Sequence, residues 1–291
     1  SDLTWDTDGT VTVTWTASDG GSGIASCTLT LSDGQTADCS GGDGSASFDM
    51  ADGSGYTADI AIADAAGNSG SSNTDTFGVD TVNPSVSVSG PDSPSASADA
   101  DMTVTSSDAT SGLASTTCDL DGNAVDCADD LTGLADGSHT FWVHATDNAG
   151  NSDSASYTWT VDTTDPSVSV SGPSDPTSST DASFTTTSSD DGSGLASTTC
   201  DLDGSAIACD GSASDLTDGS HTFTATATDY AGNSASATHT WVVDTIAPSA
   251  SVIGYPDAFS NDNLPTFEVL TNDNDGGSGM SHETCTMQYE D

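Results

Sequence analysis

Two short sequence motifs, called marks below, recur along the chain at a fixed interval, and this interval constrains the fold more than any other feature. A ValAsp pair ends at Asp80, Asp162 and Asp244, and a proline follows each pair four residues later. Successive marks are 82 residues apart. An interval of this length exceeds the unit of a solenoid and suits one small sandwich domain repeated in tandem. The sequence therefore predicts a chain of similar domains.

Two further motifs return at nearly the same interval. An Asp-x-Ala-Gly-Asn segment occupies 64–68, 147–151 and 229–233. A Ser-Gly pair followed by an apolar residue begins at Ser22, Ser111, Ser193 and Ser278. Since the motifs keep their order within each interval, we interpret them as equivalent positions of one repeated domain.

The repeat that begins at Pro166 contains short runs in which polar and apolar residues alternate. These runs occupy 168–171, 182–187, 197–202, 205–209, 221–228 and 237–243, with a further short stretch at 214–217. Asp-Gly and Gly-Asn turns separate them, and about seven such strands are typical of an antiparallel sandwich. Phe77, Trp159 and Trp241 hold equivalent places in the last strand, where we expect aromatic core residues.

Composition alone would also suit a disordered chain, because a formal charge of −46 accompanies a hydrophobic content of only 33%. Helix-favouring Leu, Glu, Lys and Gln are scarce, which disfavours helices. The repeats and the alternating runs decide between the two interpretations, and they favour a folded, all-β chain.

The complete absence of Lys and Arg limits the partners of the chain. Without cationic side chains it cannot neutralise phosphates, so we exclude nucleic acid, and anionic membrane surfaces repel it. No apolar stretch approaches the roughly 20 residues that a membrane-spanning helix needs. The sequence also contains no nucleophile elbow and no nucleotide-binding loop, so we expect no catalytic residue and no enzyme.

The run at 216–233, followed by ValAspThrIleAlaPro at 243–248, resembles the tandem bacterial Ig-like repeats of large surface proteins and adhesins. The resemblance covers essentially the whole chain, and the missing Lys and Arg are its one departure. It implies tandem Ig-like antiparallel β-sandwiches arranged as an elongated rod at the cell surface, often stiffened by Ca²⁺ near domain junctions.

The predicted repeats occupy 1–82, 83–164 and 165–246, and 247–291 would begin a further repeat. We expect the first repeat to lack its first strand and the last to stop after its third. Each ValAsp pair is separated from the following proline by three residues, which is too short for a flexible linker. Neighbouring repeats of the same longer chain are therefore the expected partners.

Three cysteine pairs flank predicted hairpin turns at spacings that suit disulfide bonds. The pairs are Cys27 with Cys39, Cys118 with Cys127, and Cys200 with Cys209. Cys285 would pair beyond Asp291. Metal-binding thiols are the alternative, but no His lies near enough to complete such a site. Three disulfides imply an oxidising, extracellular location.

Asp is the candidate ligand for a structural cation, because its oxygens suit Ca²⁺ better than Zn²⁺ or copper. The candidates are Asp80, Asp162 and Asp244 at the junctions, Asp64, Asp147 and Asp229 in the Asp-x-Ala-Gly-Asn motif, and Asp19, Asp108 and Asp190 before the Ser-Gly marks. Two alternatives stay open: the motif Asp only shapes a hairpin turn, or diffuse Na⁺ at high ionic strength screens the charge.

These features predict a non-catalytic stalk that spaces a terminal adhesive or functional module from the cell. A self-assembling filament or surface lattice is one alternative, and a carbohydrate-binding module with an exposed aromatic platform is another. His139 and His221 align with Tyr56, where Ig-like domains place a corner residue that bonds back to the main chain, so we expect a structural role for them.

Overall fold

A computed structural model of the protein describes residues 4–73, 76–254 and 268–272. Across these ranges the chain consists of β-strands, turns and irregular segments, without an α-helix. Among these residues there is accordingly no helix that is long and apolar enough to cross a membrane. The predicted all-β fold is confirmed.

The chain divides into two compact units, Ser1–Ser93 with Ser97–Thr160, and Pro94–Ala96 with Val161–Asp291. The strands of the first unit are β1 (Thr4–Asp6), β2 (Thr10–Trp15), β3 (Ile24–Leu31), β4 (Thr36–Asp38), β5 (Gly44–Asp49), β6 (Gly53–Tyr56), β7 (Ala58–Asp64), β8 (Ser69–Asn73), β9 (Phe77–Val79), β10 (Ser85–Ser89), β11 (Thr103–Ser107), β12 (Leu113–Leu120), β13 (Asn123–Val125), β14 (Gly137–Asp147) and β15 (Ser152–Val161), whose last residue already belongs to the second unit.

The second unit continues with a comparable series of strands. They are β16 (Ser167–Ser171), β17 (Ala182–Ser183), β18 (Thr185–Ser189), β19 (Leu195–Leu202), β20 (Ser205–Ile207), β21 (Ser212–Ala213), β22 (Gly219–Asp229), β23 (Ser234–Val243), β24 (Ser249–Gly254) and β25 (Glu268–Asn272).

One four-stranded antiparallel sheet is built three times. Its order is β4-β3-β7-β8, then β13-β12-β14-β15, then β20-β19-β22-β23. Two-stranded sheets accompany these: β2-β5 and β10-β11 in the first unit, and β16-β18, β17-β21 and β24-β25 in the second. A small sheet of order β1-β9-β6 includes one parallel pair. The repetition of the motifs therefore corresponds to a repetition of structure, while the boundaries at 82, 164 and 246 stay a prediction.

The register of each four-stranded sheet brings two sequence motifs to the same end. Leu113 pairs with Asp147, and Leu195 pairs with Asp229, each beside a β-bulge. Ile24 pairs with Asp64 in the same way. Because the apolar residue follows the Ser-Gly mark and the Asp opens the Asp-x-Ala-Gly-Asn motif, both turns lie next to one another.

Aromatic side chains form the core of the second unit between its sheets. Phe184 stacks on Phe223 with 4.1 Å between ring centroids, and Trp241 packs at 5.5 Å from Phe184. Val168 and Val170 cover this cluster from the opposite sheet. Trp241 and its counterpart Trp159 are 1% exposed, so both are core residues as predicted. Phe77 is only partly buried but packs against the corresponding cluster of the first unit.

Two predicted strands differ from those observed in the second unit. The run at 182–187 is divided into β17 and β18, because β17 pairs with β21 while β18 pairs with β16. The stretch at 214–217 is not a strand, and β21 lies just before it. Asp215 has a φ of 57°, a left-handed conformation that extended strands do not accommodate.

All three expected cysteine pairs are joined by disulfides. The Cα–Cα distance is 4.8 Å for Cys27–Cys39, 5.2 Å for Cys118–Cys127 and 5.1 Å for Cys200–Cys209. Each bond links a central strand of a four-stranded sheet to the segment that follows its edge strand. Cys285 lies outside the described residues.

Candidate metal centre

Two clusters of three aspartates occupy equivalent places, one in each unit. The first contains Asp80, Asp108 and Asp147, and the second contains Asp162, Asp190 and Asp229. In each cluster every residue offers one carboxylate oxygen, and these oxygens all lie within 4.8 Å of one another. All six residues are among the candidates that the sequence singles out.

Three separate segments contribute to the first cluster. Asp80 directly follows β9, and its main-chain N–H donates to the carbonyl of Asp6 at 2.9 Å, which fixes the end of the strand. Asp108 directly follows β11 and lies before the Ser-Gly turn, and Asp147 is the last residue of β14. The sheet register described above is what places the two turns beside each other.

Asp80 connects the segment after β9 to the Ser-Gly turn. Its Oδ2 accepts a hydrogen bond from the N–H of Ser111 at 3.0 Å, and its Oδ1 accepts one from the N–H of Val82 at 3.1 Å. The side chain is therefore held from both directions. The next residue of the turn, Gly112, has a φ of 78°, which a glycine adopts without strain.

The other two carboxylates are held by their own turns. Asp108 Oδ2 accepts from the N–H of Gly112 at 2.7 Å, and Asp147 Oδ1 accepts from the N–H groups of Gly150 at 2.7 Å and Asn151 at 2.9 Å. This is the turn-forming role expected of Asp in such motifs. This turn-forming role is compatible with binding a metal ion, since a carboxylate has roughly four lone-pair sites.

Asn151 is a functional residue that the sequence interpretation missed. Its Nδ2 donates to Asp147 Oδ2 at 2.9 Å and to the main-chain carbonyl of Asp80 at 2.8 Å. The amide thus ties the β14–β15 turn to the segment after β9. Its constant place at the end of each Asp-x-Ala-Gly-Asn motif is the signal that was present in the sequence.

The second cluster repeats this arrangement. The N–H of Ser193 donates to Asp162 Oδ2, and Asp190 Oδ2 accepts from the N–H of Gly194 at 2.7 Å. Asn233 Nδ2 donates to Asp229 Oδ2 at 2.8 Å and to the carbonyl of Asp162 at 2.7 Å. The same network in two units shows that the geometry follows from the motifs and not from local accident.

Burial makes the charges of these clusters costly. Asp80 and Asp147 are 0% and 1% exposed, Asp162 and Asp229 are 1% and 2% exposed, and the third Asp of each cluster is partly exposed. Two unit charges 4.8 Å apart repel by about 3 kcal/mol at an effective dielectric constant of about 20. Because the chain has no Lys or Arg, the opposing charge has to come from a bound cation or from protons. Clustered carboxylate oxygens are the ligands that Ca²⁺ prefers.

The remaining predicted ligands do not belong to a three-residue cluster among the described residues. Asp19 and Asp64 shape turns like those of Asp108 and Asp147, and the hydrogen bonds from Asn68 lower the pKa of Asp64. Asp244 is buried, with its Oδ1 accepting from the N–H of Ile246 at 3.2 Å. The acidic residues that precede the Ser-Gly pair at Ser278, Asp273 and Asp275, lie outside the described residues.

Comparison with known proteins gives matches among solved structures alone. No family model matches the chain, and no curated protein does. A tetra-tandem repeat from the extending region of a large adhesion protein is 21% identical, with 91% of this chain and 84% of that chain covered and a TM-score of 0.29. A Ca²⁺-stabilised adhesin with which an Antarctic bacterium binds ice is 23% identical, covering 84% and 72%, with a TM-score of 0.32.

Extracellular cadherin domains 1–4 of protocadherin gamma B7 are 14% identical, with 84% of this chain and 75% of that chain covered and a TM-score of 0.39. The predicted resemblance is confirmed in that tandem-repeat regions of large bacterial adhesins are among the matches.

Proposed function

We propose that this chain is a non-catalytic stalk segment of a long extracellular surface protein, stabilised by Ca²⁺ and spacing a terminal adhesive or functional module from the cell. One observation carries the proposal: each aspartate cluster combines a residue from the end of one predicted repeat with two residues from turns of the next. A cation there would stabilise the connection between successive repeats.

The charges of the cluster determine whether a bound cation stabilises or destabilises the folded chain. Without a cation, the carboxylates of Asp80, Asp108 and Asp147 repel one another, and hydrogen bonds from the neighbouring turns oppose this repulsion. A bound cation reverses the sign of the interaction and stabilises the folded chain by mass action. Extracellular calcium-binding modules work at dissociation constants of about 10⁻⁴–10⁻³ M, which suits a cluster of three carboxylates open to solvent at one ligand.

The disulfides support an extracellular location, because such bonds persist in oxidising environments. They also tie each short edge hairpin to its sheet, as a segment under mechanical load requires. Adhesion to a target would then belong to another part of the longer protein, and these repeats would supply length and resistance to unfolding.

Thermal melting of the full chain tests the proposal. The melting temperature is measured in 1 mM CaCl₂ and in EDTA, with the ionic strength matched by NaCl. A rise that is specific to Ca²⁺, together with calorimetric binding of at least one ion per described cluster, is the expected result. Equal stability in NaCl alone would show that the acidic residues are screened diffusely, and the proposal would be wrong.

Two further measurements separate a stalk from an assembling lattice. In single-molecule pulling, a stalk predicts a higher unfolding force in Ca²⁺ than in EDTA, while sedimentation shows a monomer in both. Sedimentation of the Ca²⁺-loaded chain as large particles that EDTA disperses would favour the lattice and contradict the stalk.

A further inference from the structure

A histidine near the start of the long strand contacts two acceptors in each of two repeats. His221, at the start of β22, has its Nδ1 2.8 Å from Asp203 Oδ2 and its Nε2 2.8 Å from the carbonyl oxygen of Thr217. His139, at the start of β14, has the same two distances to Asp121 Oδ2 and to the carbonyl oxygen of Ala135.

The number of N–H donors that each ring needs determines its protonation state. A neutral imidazole carries one N–H, so it can satisfy only one of two acceptors. The carbonyl of Thr217 can only accept, and Asp203 already accepts from the N–H of Thr222 through its other oxygen, at 2.8 Å. Two N–H groups are needed where Asp203 is ionised, and only the imidazolium has two.

We propose that His139 and His221 are held as imidazolium ions in the folded chain and act as a pH-dependent clamp. The clamp joins the turn of the β12–β13 or β19–β20 hairpin to the strand that begins beside it. Asp203 is the central residue of the second clamp, since its carboxylate binds the ring of His221 and the N–H of Thr222 together.

The surroundings of each ring favour its charged form. The ring of Trp241 lies 5.5 Å from that of His221, and Trp159 lies 5.7 Å from His139, within the roughly 6 Å over which an aromatic face attracts a cation. The rings of His239 and Tyr157 stack against these tryptophans, at 5.7 Å from Trp241 and 6.1 Å from Trp159, and both side chains bond to main-chain carbonyls.

The remaining charged groups near the clamps are acidic. Asp218 precedes His221 by three residues, and its Oδ1 accepts from the N–H and hydroxyl of Thr245. Asp136 holds the same place before His139. Since the chain has no Lys or Arg, no fixed cation opposes protonation of either ring.

The pKa values shift in the corresponding directions. The hydrogen bond that the His221 ring donates to Asp203 is the main cause that raises the pKa of His221. The hydrogen bonds to the carbonyl of Ala135 and then to Asp121 raise the pKa of His139, although burial opposes both shifts. A histidine with a raised folded-state pKa contributes its full stability below its ordinary pKa near 6.5. That contribution is lost as the pH rises through the folded-state value.

The first repeat provides a natural comparison without this titration. Tyr56 occupies the equivalent position, and its hydroxyl donates to the carbonyl of Ala51 at 3.1 Å. A tyrosine hydroxyl donates a single hydrogen bond and stays neutral up to about pH 10. Tyrosine is therefore a replacement that keeps the bond to the main chain and removes the charge.

Nitrogen-detected NMR of the full chain tests the protonation directly. At pH 7, both ring nitrogens of His139 and His221 are expected to carry protons, and both rings are expected to titrate above the ordinary histidine pKa near 6.5. His144 lacks the two-acceptor arrangement: its side chain is 51% exposed, and its Nε2 lies 3.3 Å from Asp119 Oδ2. Neutral rings of His139 and His221 at pH 7, or titration at or below the ordinary histidine pKa, would overturn the proposal.

A stability measurement supplies the second test. The melting temperature of the chain is expected to fall between pH 6 and pH 9, and the double variant His139→Tyr, His221→Tyr is expected to lose at least half of this fall. His144→Thr, which introduces the residue found at the equivalent position Thr226, is the matched control and should keep the full fall. An unchanged fall in the double variant would refute the clamp, and the NMR titration decides the question if that variant does not fold.

Discussion

Replacing Asp190 by Asn should stabilise the chain without Ca²⁺ and lose most of this gain when Ca²⁺ is present. Asp190 is the partly exposed member of the second cluster, and its Oδ2 accepts from the N–H groups of Gly192 at 3.1 Å and Gly194 at 2.7 Å. An Asn carbonyl oxygen can accept both bonds, so the turn is preserved. The substitution therefore removes one charge and one metal ligand without removing the hydrogen bonds that shape the site.

The magnitude follows from the distances in the cluster. Asp190 forms two carboxylate pairs, with Asp162 and with Asp229, and each pair within 4.8 Å contributes about 3 kcal/mol of repulsion at an effective dielectric constant of about 20. Water at the exposed side screens part of this energy. In EDTA we expect Asp190→Asn to raise the free energy of unfolding by about 2 kcal/mol, which corresponds to roughly 10 °C in the melting temperature of a domain of this size.

In Ca²⁺ most of this gain is expected to disappear, because the proposed site loses one of its three charged ligands. We expect the affinity of this site to fall by about tenfold or more, equivalent to about 1.4 kcal/mol. The neighbouring variant Asp191→Asn is the matched control, since it removes the same charge from an exposed residue of the same turn. Melting curves of both variants in EDTA and in CaCl₂ at matched ionic strength provide the assay. If Asp190→Asn changes the stability of the chain equally in both buffers, or behaves like Asp191→Asn, the electrostatic argument is refuted.

Two further predictions concern a side-chain amide of the second cluster and a disulfide of the second unit. Asn233→Ala removes the bonds to Asp229 and to the carbonyl of Asp162, so we expect a loss of about 1–2 kcal/mol in urea unfolding and weaker Ca²⁺ binding in calorimetry; unchanged affinity would contradict the role assigned to the amide. Replacing both Cys200 and Cys209 by Ser opens a loop whose cysteines are 9 positions apart, so a loss of about 2–3 kcal/mol in urea unfolding is expected, and a loss below about 1 kcal/mol would show that the hairpin is fixed without the bond.

The sequence predicts the fold well because the relevant signals are local or periodic. Alternating runs and turn residues are properties of neighbouring positions. An aromatic residue recurs in the last strand of each predicted repeat, as Phe77, Trp159 and Trp241, and this recurrence indicates a core position, which the burial of the two tryptophans confirms. The cysteine pairs are equally local, because each flanks a single hairpin.

The candidate site is predictable only in part. Each motif indicates its own Asp, but the meeting of Asp80 with Asp108 and Asp147 depends on strand pairing between segments far apart in the sequence. The role of the Asn151 side-chain amide could not be predicted for the same reason. Its place in the turn is local, while its bond to the carbonyl of Asp80 spans 71 positions. Asp215 shows that a prediction from neighbouring residues can also fail. Its left-handed conformation excludes the strand predicted at 214–217, and the observed strand β21 ends before it.

The assembly of each cluster from two successive predicted repeats has a consequence for how such a chain grows. Within the predicted boundaries, one repeat supplies either the Asp that follows its last strand or the two turn aspartates of a given cluster, but never all three. Duplication of one 82-residue block would therefore add one complete aspartate cluster without any new mutation. With Ca²⁺ bound as proposed, copy number alone would set both the number of residues and the total calcium capacity, so that one duplication would add sequence and a stabilising ion together.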